Sequence, residues 1–104
     1  GIVRDRIRMA LNGHVIVTVI LDEDDELLGE PWCEVMGLPE MGRNNAPLVD
    51  ALEEDLSQFI GRAGDKTITD DDKLEEGLRR VARQTTQAEI GKKAEVSVII
   101  SRLA

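Results

Sequence analysis

His14 and Cys33 are the only histidine and the only cysteine in the chain, and they limit the chemistry at once. One imidazole and one thiol cannot build a zinc tetrad. His14 stands at a turn, no G-x-S-x-G occurs, and no Ser-His-Asp arrangement is available. Neither a Walker pattern nor a dinucleotide glycine pattern is present. His14 reads as an exposed residue at the start of a strand, and Cys33 as a small, half-buried hydrophobe. A single cysteine forms no internal disulfide, which fits a reducing compartment.

The carboxylates come next. Asp22–Glu30 carries six acidic residues and no basic one. A calcium loop of the EF-hand type needs glycine at its sixth position and helices on both sides. Counted from Asp22, that position is Leu27, and the flanks read as strands. The run therefore reads as a solvated hairpin tip. Asp70-Asp71-Asp72 reads as charge placed at the positive end of a helix dipole.

Cations gather elsewhere. Arg79, Arg80, Arg83, Lys92 and Lys93 face only Glu89 within residues 79–93. Two readings stay open for them. They could meet RNA phosphates, with Arg4, Arg6 and Arg8 added, or they could complement the C-terminal end of a helix dipole and keep the chain soluble. Trp32 also has two readings, as a partner anchor or as partly buried core.

These residues hang on a chain of 104 residues, enough for one domain. Hydrophobic content of 41% and charged content of 33% are globular values. Aromatic content is 2%, so the core must be aliphatic and base-stacking platforms are absent. The net charge of −8 argues against a free-standing nucleic-acid-binding module, which should be basic. No apolar run reaches membrane-span length, and the start, GIVRDRIR, has no signal-peptide core. A cytoplasmic, membrane-free chain is expected. Gly1 in place of Met, and an opening in mid-pattern, suggest a piece of something larger.

The organising element is His14–Asp22, HVIVTVILD. Its β-branched density predicts a strand. Val15, Val17, Val19 and Leu21 form one face, and Ile16, Thr18 and Ile20 the other. Residues 1–13 read as a linker or edge segment, closed by the Asn12-Gly13 turn. A less regular strand is expected over roughly Glu26–Met36, with Pro31 marking an edge or a bulge. Asn45 is the expected N-cap of a helix carrying Leu48, Val49, Leu52, Leu56, Phe59 and Ile60 on one stripe. Gly61 or Gly64 should end it, and Asp65–Thr69 should link it to the next. Thr69 or Asp70 should cap that second helix, whose inner face holds Leu74, Leu78, Val81, Ala82, Thr85 and Ala88. Gly91 should close it, and Ala94–Leu103 should form the last strand.

The order β-β-α-α-β predicts an α+β two-layer sandwich over residues 14–104, a three-stranded sheet with two helices on one face. The most apolar strand belongs in the centre, with the last strand parallel beside it. Two helices cover one sheet face only. Unless residues 2–11 fold back across Ile16 and Ile20, then, Ile16, Thr18, Ile20 and Ile99, with Trp32, are left for an assembly surface.

The stretch VRDRIRMALNGHVIVTVILDEDDELLGEPWCEV resembles the start of the C-terminal domain of ribonuclease J. The matching pieces are Val3-Arg4-Asp5-Arg6, the Asn12-Gly13 turn, the Val15–Leu21 strand, the acidic turn Asp22–Asp25 and Gly29-Glu30-Pro31. The tail matches as well, with a helix, Gly91-Lys92-Lys93 and a final Val/Ile strand. Met36-Gly37-Leu38-Pro39 stands where the family has R-G-F, and Glu30 splits its G-P step. The resemblance implies a cytoplasmic, zinc-dependent metallo-β-lactamase/β-CASP parent with exonuclease and endonuclease activity in RNA maturation and decay. It places zinc and catalysis in preceding domains, since this chain has no H-x-H-x-D-H. For the chain itself it implies no catalytic, cofactor or metal residue. It implies a role in dimer or tetramer assembly and in supporting activity, with itself and the parent's catalytic domains as partners. The acidic composition agrees with assembly better than with direct RNA binding, which is expected to be weak or absent.

Overall fold

The computed structural model describes residues 12–103. The expectations for residues 1–11, including Arg4, Arg6 and Arg8, lie outside the described residues. Within them the order is β1 (His14–Leu21), β2 (Trp32–Met36), a 3-10 turn (Arg43–Asn45), α1 (Leu48–Arg62), α2 (Asp65–Ile68), α3 (Asp71–Ile90) and β3 (Glu95–Arg102). The architecture is an α+β two-layer sandwich. Its three-stranded mixed sheet has the order β2-β1-β3, with β2 antiparallel to β1 and β3 parallel to it.

The core follows from the alternation in β1. Val15, Val17, Val19 and Leu21 point at the helices and are fully buried. They meet Leu48, Leu52 and Leu56 of α1 and Leu74, Leu78 and Ala82 of α3, with Cys33, Ala94 and Val96 filling the margins. Each buried Leu or Val contributes about 1.5–3 kcal/mol. That aliphatic layer is what holds this nearly aromatic-free chain together.

Charged side chains tie the helices to the two sheet edges and to each other. Glu53 of α1 accepts the backbone N–H of Cys33 on β2 at 3.2 Å. Arg79 of α3 donates through Nε to the carbonyl of Val96 on β3 at 3.4 Å. Both bonds occupy backbone groups on edge strands, where unpaired groups invite unwanted strand pairing. Asp55 accepts the Thr85 hydroxyl at 2.6 Å, joining α1 to α3. Glu53 and Asp55 lie outside the apolar stripe of α1, yet both carry an inward bond.

Several boundaries differ from the expectation. The second strand begins at Trp32, not near Glu26. Pro31 lacks the N–H a ladder needs, and ahead of it only an isolated bridge joins Leu27 to Leu21. Asn45 does not cap α1. Asn44 and Asn45 both take left-handed backbone, with φ 59° and 60°, a region Asn tolerates. Pro47 starts the helix instead, and Leu48 N–H donates to the carbonyl of Glu40. Helix α1 runs through Gly61 to Arg62. The expected linker contains the short helical turn α2. Ala88 is exposed, and Thr86 takes the buried position towards the end of α3. The expected caps of α3 are found: Asp70 accepts from the N–H groups of Asp72 and Lys73, and Gly91 closes the helix in left-handed backbone.

Candidate interaction surfaces

With both helices on one face, the other face of the sheet carries the even residues of β1. The register defines its rows. Thr18 pairs with Trp32 on β2 and with Ile99 on β3. Ile16 lies between Glu34 and Ser97, and His14 between Met36 and Glu95. Leu28 N–H donates to the carbonyl of Ile20 at 2.8 Å, adding one more apolar side chain beside that strand end. The five residues assigned to an assembly surface, Ile16, Thr18, Ile20, Trp32 and Ile99, therefore share one face.

They are not equally open. Trp32 is 60% exposed, Ile99 50% and Ile20 40%, while Ile16 and Thr18 are partly covered by their neighbours. Seven large hydrophobic side chains are exposed among the described residues, and five of them, Ile20, Leu28, Trp32, Met36 and Ile99, belong to this face. Single exposed hydrophobes are ordinary, whereas a contiguous set marks an interaction surface. Leu28 and Met36 escaped the sequence reading. The register signal that places them depends on where β2 starts, and that start was set too early.

Polar groups rim the patch. His14 Nε2 lies 2.8 Å from Ser97 Oγ, so the one imidazole is engaged with a strand neighbour. Cys33 lies on the opposite, buried face. Burial, aided by the Glu53 carboxylate, pushes its thiol up to about 12. The two side chains point to opposite faces of the sheet and form no ligand set. No group of three potential metal ligands occurs among the described residues.

The basic residues divide. Arg79, Arg80, Arg83 and Lys93 line a groove of about 560 Å³ along α3, together with Glu76, Gln84, Gln87 and Ala88. Lys92 is not part of it. The spacing of four between Arg79, Arg83 and Gln87, and between Arg80, Gln84 and Ala88, stacks them in adjacent rows. Arg79 is paired with Glu75 at 2.6 Å, and Arg83 approaches Glu95 at 3.9 Å. Arg80 and Lys93 have no ion-pair partner among the described residues. The acidic turn is organised separately. Asp22 Oδ1 accepts from the backbone N–H groups of Asp24 and Glu26, and Asp25 pairs with Arg102 at 2.6 Å.

The described residues thus form a small α+β sandwich with an apolar sheet face and a groove rich in cations. The family defined as the ribonuclease J C-terminal domain matches residues 1–103, and the chain belongs to that family. It is also similar to ribonuclease J of Sinorhizobium meliloti, with 33% identity over 102 residues. That match covers 95% of this chain and 18% of the relative, so the chain spans less than a fifth of the length of that curated relative. No described helix is long and apolar enough to cross a membrane.

Proposed function

We propose that this chain is the self-association module of a ribonuclease J-like nuclease, and that it supports activity by holding copies together through the outer face of its sheet. The row Trp32–Thr18–Ile99 carries the reading, because it lays two half-exposed apolar side chains on either side of a central strand. An aromatic anchor among aliphatic neighbours is the usual composition of an interface centre. A second copy offers the same patch, and a face that matches itself closes into a two-fold dimer. RNA processing or decay, with zinc and catalysis in other domains of a cytoplasmic parent, belongs to the same proposal.

RNA contact through the basic cluster is the second reading, favoured by the convergence of Arg79, Arg80, Arg83 and Lys93 on one groove. It ranks lower because the chain carries a net charge of −8 and the groove has no aromatic side chain on which bases could stack.

Trp32 is the only tryptophan, so its fluorescence reports on the face directly. On raising the protein concentration, its emission should move to shorter wavelength as the indole leaves water. An emission maximum independent of concentration, in a chain of monomeric mass, would overturn the reading.

A further inference from the structure

We propose that the basic groove on α3 docks the acidic β1–β2 turn of a second copy, head to tail, at a contact distinct from the sheet face and independent of that reading.

The two surfaces are complementary. The groove presents Arg80 and Lys93 without an ion-pair partner among the described residues, beside Arg79 and Arg83, which are held by Glu75 and Glu95, and its four cations outnumber its one carboxylate, Glu76. In the turn, Asp22 is used to hold the backbone and Asp25 to hold Arg102. Glu23, Asp24 and Glu26 are exposed and have no cation partner among the described residues. Three free carboxylates on an exposed turn suit a groove in which cations are in excess.

The fold prevents the turn from reaching its own groove. The turn leaves β1 at Leu21, which is level with Arg102 at the end of β3. The groove runs along α3 from Glu76 to Ala88 and ends at Lys93, just before β3 begins. The eight residues of β3 separate the two ends by about 26 Å. The turn therefore stands at one end of the strand axis, and Lys93 of the groove at the other. Only another molecule can bring the two together.

Such a contact is heterologous: each copy offers one groove and one turn. That makes it separable from a two-fold contact through the sheet. The test starts from Trp32→Lys with Ile99→Lys, which disables the sheet face, at an ionic strength of about 0.1 M, where the long-range repulsion between two negative copies is screened beyond about 10 Å. Self-association in this background, read by sedimentation equilibrium, should weaken at least tenfold when Arg80→Glu and Lys93→Glu are added. Adding Glu23→Lys and Asp24→Lys instead should weaken it as much. An equimolar mixture of the two should restore a one-to-one complex, since one partner keeps the turn and the other the groove. Arg80→Ala with Lys93→Ala, a milder surface change, should give a smaller loss, and circular dichroism checks that each variant is folded. Three results overturn the proposal: a background that stays monomeric at millimolar concentration, a mixture that stays monomeric, or a groove that binds a ten-nucleotide oligouridylate more tightly than a peptide of residues 22–30.

Discussion

Trp32 and Ile99 stand on opposite edge strands and flank the same residue, Thr18, on the outer face of the sheet. Neither side chain belongs to the core formed by the described residues. The helix layer covers the other face, and both residues are at least half exposed. A domain of this size does not need a second apolar sheet face for its own stability. Substituting either residue should therefore leave folding almost untouched, within about 0.5 kcal/mol, and act on association alone.

The thiol of Cys33 should be inert in the folded chain. Its pKa is raised from 9.0 to about 12, and the thiolate is the reactive form. At pH 8 the folded protein should react with a thiol reagent about a thousandfold more slowly than the unfolded chain, on the thiolate fraction alone. The folded state holds this proton more tightly than the unfolded state. Its contribution to stability is thus complete below pH 9 and falls as pH rises from about 9 to about 12. Denaturation curves across that range, compared with those of Cys33→Ala, isolate the effect.

Thr86 satisfies the joint between α3 and β3. Its hydroxyl is fully buried, accepts the N–H of Ala94 at 3.3 Å and donates to the carbonyl of Arg83 at 3.1 Å. Thr86→Val keeps the shape and strands the Ala94 N–H. The expected cost is about 1–3 kcal/mol, measured by urea denaturation, while Thr86→Ser should lose much less.

Arg102 closes the far end of the sandwich. It reaches Asp25 at 2.6 Å, Asp71 at 2.7 Å and the carbonyl of Ile68, joining the acidic turn, the start of α3 and the end of α2. The planar fork makes this possible, and an ammonium cannot copy it. Arg102→Ala should cost about 1–3 kcal/mol, with Arg102→Lys recovering less than half of the loss by thermal denaturation.

The ring of Phe59 on α1 lies over Gly77 of α3, where a Cβ would overlap it. Ala would otherwise favour the helix by about 1 kcal/mol. Overpacking should outweigh that gain, making Gly77→Ala destabilising by about 1–2 kcal/mol. In a Phe59→Leu background, the same change should become neutral or stabilising.

Periodicity made the fold legible. The alternation of β1 identified both its faces, the two helical stripes required a single helix layer, and the apolar density of His14–Asp22 placed that strand centrally. Single-residue chemistry was legible at Asp70 and Gly91, where a cap and a positive φ each have one cheap solution. The start of β2 was not, because Pro31 interrupts pairing with Leu27 and Leu28 already beside β1. The inward bonds of Glu53 and Asp55 were hidden too. They depend on which way α1 is rolled over the sheet, and a charged residue reads as solvent-facing until its partner's position is known. Four of the five basic residues converge on one groove because the turn at Gly91 folds Lys93 back against α3, a geometry that charge counting does not contain.

Sedimentation equilibrium of the chain beside its Trp32→Lys, Ile99→Lys variant, at an ionic strength of about 1 M so that charge contacts are screened within about 3 Å, tests the sheet face most directly. The unsubstituted chain should show the mass of a dimer and the variant that of a folded monomer. A monomeric unsubstituted chain, or a variant that stays dimeric, would contradict the assignment.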